Sequence, residues 1–283
     1  MDGAAEKDEE EEETETATTA WRDMYNAILA DFAYDTTRDD KSARTLDRIL
    51  DEAGVPDAYP ALRKLIKGET VLVAGSGPSL DESLDTLARH ADTAVLIAAD
   101  TAAKPLVDRG IMPHVIVTDL DGDIECHAEA SRRGAAIIAH AHGDNMHMLH
   151  HVRRFRTCMG TTQAGPVGRI RNLGGFTDGD RAVFAADHFG ANRIILFGMD
   201  LDGEKVGRHS RTAAPDRATK AKKLLKAREL LEAWLAGRPR QGRRLYTASG
   251  CRIAGFEGIT HGDVDRLLAP GAGGHGGPAR QEE

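Results

Sequence analysis

The chain has 283 residues, of which 41% are hydrophobic, so it is long enough for one large domain with an ordinary core and for an accessory segment. No stretch approaches the roughly 20 apolar residues of a membrane span and the N-terminus lacks a secretory signal, so we expect a cytoplasmic protein that does not bind membranes. The formal net charge of -8 comes entirely from residues 1–20, and the balanced remainder carries no basic patch that indicates nucleic-acid binding.

The ends of the chain differ in composition from the rest. Residues 1–20 carry nine acidic residues against one lysine, and such a self-repelling segment is typically disordered. Apolar residues then recur at helical spacing from Trp21 to about Lys67. We therefore predict four segments: an acidic tail at 1–20, a helical N-terminal module at 21–68, an α/β domain at 69–268 and a flexible C-terminal tail at 269–283.

Buried-strand patterns recur along the α/β domain, and most are followed by a short loop and a helical pattern. The strand-helix-strand order with short loops predicts a Rossmann-like, doubly wound, mostly parallel sheet with right-handed crossovers. In such folds, ligands bind beyond the carboxyl ends of the strands. The predicted strands are Thr70–Ala74, Ala94–Ala98, His114–Thr118, Ala135–Ala139 and Arg193–Phe197, with short strands at Leu245–Thr247 and Arg252–Phe256; residues 157–175 are assigned as loop with at most one strand.

A glycine-rich loop follows the first strand and precedes an amphipathic helix. Free backbone N–H groups and the helix dipole at such a position bind anions, typically phosphate. The loop is not a Walker A loop, because no Gly-Lys-Ser/Thr follows, and Leu80 replaces the third glycine of a dinucleotide fingerprint. The alternative is a tight turn with Pro78 near the first helical position. The predicted phosphate-binding residues here are Gly75, Ser76, Gly77, Pro78 and Ser79.

Three carboxylates, Asp119, Asp121 and Asp123, follow the third strand at alternate positions. An Asp-x-Asp pair at a strand end offers oxygen ligands for a hard cation such as Mg2+. The alternative is an acidic turn that leads into a helix, because aspartate favours turns and helix caps. The second strand also ends next to an aspartate, Asp100.

A second acidic pair, Asp178 and Asp180, lies at the start of a later helix, after the plausible cap Thr177. The helix dipole favours acidic residues there without any functional role. If this helix end faces Asp119 and Asp121, however, the pair would complete a metal site. Arg181 would then be placed to contact a phosphate.

Histidines cluster after the fourth strand, and His-x-His with a nearby aspartate is one pattern of a zinc site. No His-Glu-x-x-His motif is present, and the three cysteines are far apart without a Cys-x-x-Cys pair. We expect His147, His150 and His151 to be ordinary helix residues. The favoured functional interpretation is a polar rim for a heterocyclic substrate, formed by His142, Asp144 and Asn145.

A basic loop that contains Arg208 follows the last clear parallel strand, and a long helix is predicted from about Asp216 to Ala236. Arginine and lysine here are candidates to bind a triphosphate. The alternative is a solvated charged helix face, which we expect for most of Lys220, Lys222, Lys223 and Lys226.

Six segments, taken in order, resemble the archaeal 6-hydroxymethyl-7,8-dihydropterin pyrophosphokinase family over roughly residues 20 to 265. The architecture is also similar to thiamine pyrophosphokinase, in which comparable loops hold nucleotide and metal. The chain departs from that pattern at Thr101, where glycine is usual, and at Gly122, where serine is usual. The six segments are Gly75–Leu80, Ala99–Ala102, Thr118–Gly122, His140–Asn145, Gly175–Ala182 and Gly198–Asp200.

The resemblance implies transfer of a diphosphate from ATP to the hydroxymethyl group of a reduced pterin, with release of AMP, in folate or methanopterin synthesis. One or two Mg2+ ions would be held by Asp119 and Asp121 with Asp178 or Asp180, because such transfer needs positioning and charge neutralisation. Asp121 or Asp100 would accept the proton of the alcohol. The glycine loop with Arg181 or Arg208 would bind phosphates, and Asp144 and Asn145 would bind the pterin edge.

Two other functions stay open at this point. A motility-accessory type of glycosyltransferase shares the Gly-x-Gly-Pro-Ser-Leu segment and a segment like Gly255–Ile259, and Asp-x-Asp with Mg2+ also suits a nucleotide sugar. The compact length, without an added sugar-acceptor domain, is evidence against it. The other function is non-catalytic nucleotide binding with the acidic tail as an interaction arm. In each case the expected partners are small molecules, and a homo-oligomer stays open.

Overall fold

The computed structural model describes residues 36–203, 207–209, 217–236 and 244–269. The predicted acidic tail, residues 21–35 of the predicted helical module and residues 270–283 of the predicted C-terminal tail lie outside the described residues. The boundaries of the four predicted segments therefore stay predictions.

Within the described residues, eight strands form one sheet in the order β5-β4-β3-β2-β1-β6-β7-β8, and the neighbouring strands pair in parallel. The predicted α/β fold with a parallel sheet is confirmed. From β1, the strands β2 to β5 are added on one side of the sheet and β6 to β8 on the other, so the strand order switches between β1 and β6. In doubly wound folds, ligands bind at such a switch point. The strands are β1 (Thr70–Ala74), β2 (Val95–Ala99), β3 (Val115–Thr118), β4 (Ala136–Ala141), β5 (Cys158–Thr162), β6 (Arg193–Phe197), β7 (Arg244–Thr247) and β8 (Glu257–Gly258).

Helices cover both faces of the sheet. Among the described residues, no helix is both long enough and apolar enough to cross a membrane. The α-helices are α1 (Thr36–Glu52), α2 (Tyr59–Ile66), α3 (Leu80–His90), α4 (Ala103–Asp108), α5 (Ile124–Arg132), α6 (Asp178–His188), α7 (Arg217–Ala236) and α8 (His261–Leu267), with 3-10 helices at Asp100–Ala102 and Leu149–Arg154.

The core has two halves, because successive strand residues point to opposite faces. On β1, Leu72 and Ala74 contact the half covered by α1, α3, α4, α5 and α8. Val71 and Val73 contact the half covered by α2, α6 and α7. Strands buried on both faces read as continuous apolar runs, so the central strands could be identified from the sequence. Their carboxyl ends share one edge of the sheet, where the predicted site residues lie.

Two predicted elements differ in the structure, and several strand bounds shift by one or two residues. The predicted helix that contains His147, His150 and His151 is a turn followed by a 3-10 helix, Leu149–Arg154. The predicted strand Arg252–Phe256 does not form, because Ile253 and Phe256 pack into the core from a turn, and the strand β8 follows it. The irregular passage at 157–175 contains one strand, the fully buried β5, within the prediction of at most one.

The first helix of the described chain fixes the loop that follows β4. The carboxylate of Asp39 is buried and accepts hydrogen bonds from the backbone N–H of Gly143 at 2.7 Å and from the Nε2 of Gln163 at 2.8 Å. Arg38 donates to the carbonyl of Gly143 at 3.1 Å. The helix α1 therefore contributes directly to the shape of the site edge, since the loop that it holds contains His142.

Candidate active site

Three carboxylates converge beyond the ends of β2 and β3. Asp100 begins the 3-10 helix after β2, and Asp119 and Asp121 follow β3. One carboxylate oxygen from each residue lies within 4.8 Å of the others, with Asp100 buried and Asp121 exposed. This all-oxygen donor set suits a hard divalent cation.

Strained backbone and one hydroxyl hold this cluster in place. Asp100 has a φ of 40° and Leu120, between the other two aspartates, has a φ of 71°, a region that non-glycine residues rarely adopt. The Thr118 hydroxyl donates to Asp100 Oδ1 at 2.5 Å and accepts from the Leu120 N–H at 2.8 Å. Thr118 therefore links the ends of β2 and β3, a role that the sequence analysis did not assign to it.

Gly122 packs against the cluster so closely that a side chain has no room. A Cβ atom at this position would lie 2.5 Å from Oδ1 of Asp100 and 2.8 Å from its Cγ. The thiamine pyrophosphokinase pattern has serine at this position. In this chain, a serine at position 122 would collide with Asp100 as the carboxylate is now placed.

We expect Gly122→Ala to displace the Asp100 carboxylate. The affinity of the cluster for a divalent cation should fall about 10-fold or more, and the free energy of unfolding should fall by about 1–3 kcal/mol through overpacking. Calorimetric titration with Mg2+ and urea denaturation measure the two effects. Gly165→Ala is the matched control, because a Cβ atom there meets nothing within 4 Å. Equal effects of the two variants would contradict the prediction.

The cluster carboxyls have different proton affinities. Burial and the charges of Asp178, Asp119 and Asp121 raise the pKa of Asp100 well above its ordinary value. Burial and the charge of Asp119 likewise raise the pKa of Asp121. Burial opposes ionisation of Asp119 as well, but the hydrogen bond and charge of His142 outweigh it and lower the pKa of Asp119. The cluster is thus short of positive charge, as a cation site is before it binds its ion.

Asp178 and Asp180 have different roles at the start of α6. Burial and the charge of Asp119 raise the pKa of Asp178 well above its ordinary value, so Asp178 lies within electrostatic reach of the cluster. Asp180 accepts hydrogen bonds from the N–H groups of Phe176 and Thr177 at 2.8 and 2.6 Å and from the Thr177 hydroxyl at 2.6 Å. The structure gives Asp180 a capping role in place of the predicted metal-ligand role, because its oxygens are committed to the helix end.

Arg181 is buried, with 3% of its side chain exposed. It contacts Asp178 Oδ1 at 3.2 Å and the Nε2 of His140 at 3.1 Å. Burial and the charge of Arg181 lower the pKa of His140 well below its ordinary value, which keeps the imidazole neutral. In place of the predicted phosphate contact, the structure gives Arg181 partners in the interior, and the carbonyl of Gly175 at 3.3 Å is a third.

The three residues predicted as a substrate rim have different surroundings. His142 Nε2 lies 3.5 Å from Asp119 Oδ2. Asp144 is exposed and pairs with Arg38 at 3.1 Å. The Asn145 side chain is buried; its amide nitrogen donates to the carbonyls of Asp119 and His140 at 2.6 and 2.7 Å, and its oxygen accepts from the His142 N–H at 3.0 Å. Asn145 therefore positions the loop, whereas His142 and Asp144 lie at its surface.

The glycine loop is folded onto the end of β6. The N–H groups of Gly75 and Gly77 donate to carbonyls there at 2.8 Å each. The N–H and hydroxyl of Ser79 donate to Asp200 Oδ2 at 2.9 and 2.8 Å. These three N–H groups are thus committed to internal acceptors, contrary to the expectation of free amides. Asp200, which holds the loop, was not among the predicted site residues, although it ends the Gly198–Asp200 segment just beyond β6.

Basic groups approach the site from the segment after β6. Arg208 is exposed and donates to Asp81 Oδ1 at 2.7 Å, and Gly207 packs on the backbone of Ser76. Lys220 on α7 acts on the carboxylates: burial dominates the pKa of both Asp121 and Asp178, but the Lys220 ammonium favours their ionised forms. Lys220 is half-buried, and of the four lysines predicted on a solvated helix face it is the one whose charge acts on these two carboxylates.

A cavity of about 330 Å³ is lined by Thr101 and Asp123, which are near neighbours of the cluster in sequence, and by the apolar side chains of Leu84 and Pro105. Its lining does not include the carboxylates of the cluster itself. This volume lies at the lower end of the range of small-molecule sites, about 300–1,000 Å³.

Comparison with solved structures gives a likeness of fold. A glycosyltransferase structure, "Structure of MAf glycosyltransferase from Magnetospirillum magneticum AMB-1", superposes with a TM-score of 0.50 at 15% sequence identity. The match covers 80% of this chain and 41% of that one, so this chain spans about two fifths of the glycosyltransferase. At this identity the likeness shows the α/β fold alone.

Comparison with known sequences gives the family. Two relatives named 6-hydroxymethyl-7,8-dihydropterin pyrophosphokinase are each 42% identical to this chain. The match to that of Methanothermobacter thermautotrophicus extends over 195 residues and covers 68% of this chain and 81% of the relative. The match to that of Pyrococcus furiosus extends over 221 residues and covers 76% of this chain and 92% of the relative. The sequence model of "6-hydroxymethylpterin diphosphokinase MptE-like" matches residues 44–205. The resemblance predicted from six short segments is therefore confirmed, and the chain belongs to the 6-hydroxymethylpterin diphosphokinase MptE-like family.

Proposed function

We propose that this protein transfers a diphosphate from ATP to the hydroxymethyl group of 6-hydroxymethyl-7,8-dihydropterin and releases AMP, as a step in the synthesis of a folate or methanopterin-type coenzyme. Membership of the family and the names of the relatives support a pterin pyrophosphokinase. The observation that carries the proposal is the convergence of Asp100, Asp119 and Asp121, one oxygen of each within 4.8 Å of the others, at the carboxyl ends of β2 and β3.

The donor set fits Mg2+. Its ligands would be Asp119 and Asp121 with Asp178, and Asp100 lies beside them. The oxygens of Asp100, Asp119 and Asp121 converge, and the charge of Asp119 acts on Asp178, so the group calls for a cation. Bound Mg2+ supplies positive charge that neutralises the phosphate oxygens and favours in-line transfer. Asp180 is left out of this set because its oxygens cap α6.

The substrate alcohol would attack the β-phosphorus of ATP, and the oxygen of AMP would leave on the opposite side. Proton removal from the alcohol is assigned to Asp121 or Asp100, since both have a raised pKa and so accept a proton more readily than Asp119. Asp121 is the more accessible of the two. Asp119, with its lowered pKa, is suited to bind a cation.

The phosphates would be bound by Arg208 and Lys220. Arg208 is exposed, and its bond to Asp81 can exchange for a phosphate oxygen without leaving a buried charge. Lys220 already favours the ionised forms of Asp121 and Asp178, so its ammonium is within electrostatic reach of a triphosphate bound at the cluster. The glycine loop, with Ser76, lies against Gly207, the neighbour of Arg208 in sequence.

The pterin would bind beside His142 and Asp144. A pterin presents an amino group and a ring N–H on one edge, and a carboxylate such as Asp144 can accept hydrogen bonds from both. Asp144 is ion-paired at the surface with Arg38, where exchange of partners costs little. Small molecules are the partners of this reaction, which we assign to the cytoplasm without nucleic acid or membrane, and a homo-oligomer is compatible with it.

Incubation with ATP, Mg2+ and 6-hydroxymethyl-7,8-dihydropterin at several salt concentrations, with AMP followed by chromatography, tests the proposal. We expect AMP and a pterin diphosphate in equal amounts, and neither when EDTA replaces Mg2+. Binding of ATP without AMP formation at any salt concentration would overturn the proposal and make nucleotide sugars the next substrates to try.

A further inference from the structure

A run of buried side chains leads from Asp178 into the interior of the protein. The Arg181 guanidinium donates through NH1 to Asp178 Oδ1 at 3.2 Å. Through NH2 it donates to the Nε2 of His140 at 3.1 Å and to the carbonyl of Gly175 at 3.3 Å. His140 lies on β4, two strands away from β2 and next to the edge strand β5, so these contacts join α6 to that side of the sheet.

The directions of these hydrogen bonds are fixed by chemistry. A guanidinium has donors only, so the Nε2 of His140 must accept and its Nδ1 must carry the proton. Nδ1 lies 3.2 Å from the hydroxyl of Thr161, which donates in turn to the carbonyl of Ala139 at 3.3 Å. Each group in the run is therefore a defined donor or acceptor, and the hydrogen bond to His140 fixes the orientation of the Arg181 guanidinium.

Local packing also fixes the backbone of Arg181. Gly175 has a φ of +90°, and a Cβ atom there would lie 2.5 Å from the Cα of Arg181. A phosphate ligand needs a guanidinium that reaches solvent, whereas 3% of the Arg181 side chain is exposed. The guanidinium is thus oriented toward Asp178 and His140.

We propose that Arg181 and His140 are positioning residues for the cation site, which hold the Asp178 carboxylate facing Asp119 and Asp121. The inference rests on the proposed function, because it takes the carboxylate cluster to bind Mg2+. Without the guanidinium, repulsion from Asp119 and Asp121 would turn Asp178 away from the cluster. Groups behind a metal ligand typically change metal affinity 10- to 100-fold when they are removed.

Calorimetric titration of nucleotide-free protein with Mg2+, and separately with Mn2+, measures this role without turnover. We expect Arg181→Gln to weaken cation binding about 10- to 100-fold. His140→Leu, which removes the acceptor, should weaken it about 10-fold, whereas His140→Gln, whose amide oxygen can still accept from Arg181, should stay within about 3-fold of wild type. A direct phosphate contact predicts the opposite: unchanged cation affinity and a raised KM for ATP. That result would overturn the inference.

The matched control is Arg171→Gln. Arg171 pairs with Asp57 at 2.8 Å and stacks on Tyr59, away from the cluster. It should lower Tm but leave cation affinity unchanged, and an equal loss of cation affinity in this variant would overturn the inference. If Arg181→Gln does not fold, the difference between His140→Leu and His140→Gln carries the test. If the wild-type protein binds neither cation, the proposed cation site is wrong. If the wild type and all variants bind cations with equal affinity, only the positioning role is wrong.

Discussion

We expect Asp121→Asn to lower the rate of AMP formation on the order of 1,000-fold at saturating ATP and pterin. Asp121 is the most exposed carboxylate of the cluster and has a raised pKa, so it is proposed both to bind Mg2+ and to accept the proton of the alcohol. An amide keeps the shape of the side chain but supplies neither the charge nor the basicity. Chromatography of AMP in a time course measures the loss.

The same loop provides a control carboxylate. Asp123 caps α5 by accepting from the N–H of Cys126 at 3.0 Å, and asparagine caps a helix about as well. Asp123→Asn should therefore keep AMP formation within about 3-fold of wild type. A comparable loss in both variants would mean that the whole loop is disturbed, and would contradict a specific role for Asp121.

The central strands could be predicted from the sequence because burial on both faces leaves a strong signal. β1 and β6 begin and end at the predicted residues, since each is an apolar run that ends at a glycine. β5 was missed as a definite strand, because Gly160, Thr161 and Thr162 make half of it look like a loop although it is fully buried. Strand propensity depends on surroundings that composition does not show.

The same limit applies to the site. Asp119 and Asp121 could be placed at the edge of the sheet, because carboxylates directly after a buried strand have one location in this fold. The partners of a side chain cannot be predicted in this way. Arg181 and His140 are 41 residues apart, and only the folded chain brings them together. The acidic neighbours of Arg181 in the sequence therefore predict a phosphate contact, whereas its side chain lies in the interior against His140.

We expect Asp100→Asn to have opposite effects on activity and stability. AMP formation should fall on the order of 100-fold, because a carboxylate beside the proposed Mg2+ ligands is lost. The cation-free protein at pH 7 should gain free energy of unfolding, because the substitution removes a buried carboxylate whose ionisation the fold disfavours. Asparagine tolerates the φ of 40° and can still accept from the Thr118 hydroxyl.

The sign of this gain follows from the raised pKa of Asp100, which burial and the charges of Asp178 and Asp119 produce. A carboxyl with a folded-state pKa above its unfolded value of about 3.9 stabilises the protein below that pH, and the contribution is lost as the pH rises through the folded-state pKa. The advantage of Asp100→Asn should thus grow from about pH 4 to pH 7 in urea denaturation with EDTA. Asp263→Asn is the opposite control, since hydrogen bonds from Thr260 lower the pKa of Asp263 and its loss should destabilise. If Asp100→Asn is less stable than wild type at pH 7, the prediction is wrong. Asp100 would then stabilise the fold, and its charge would not destabilise the cation-free protein.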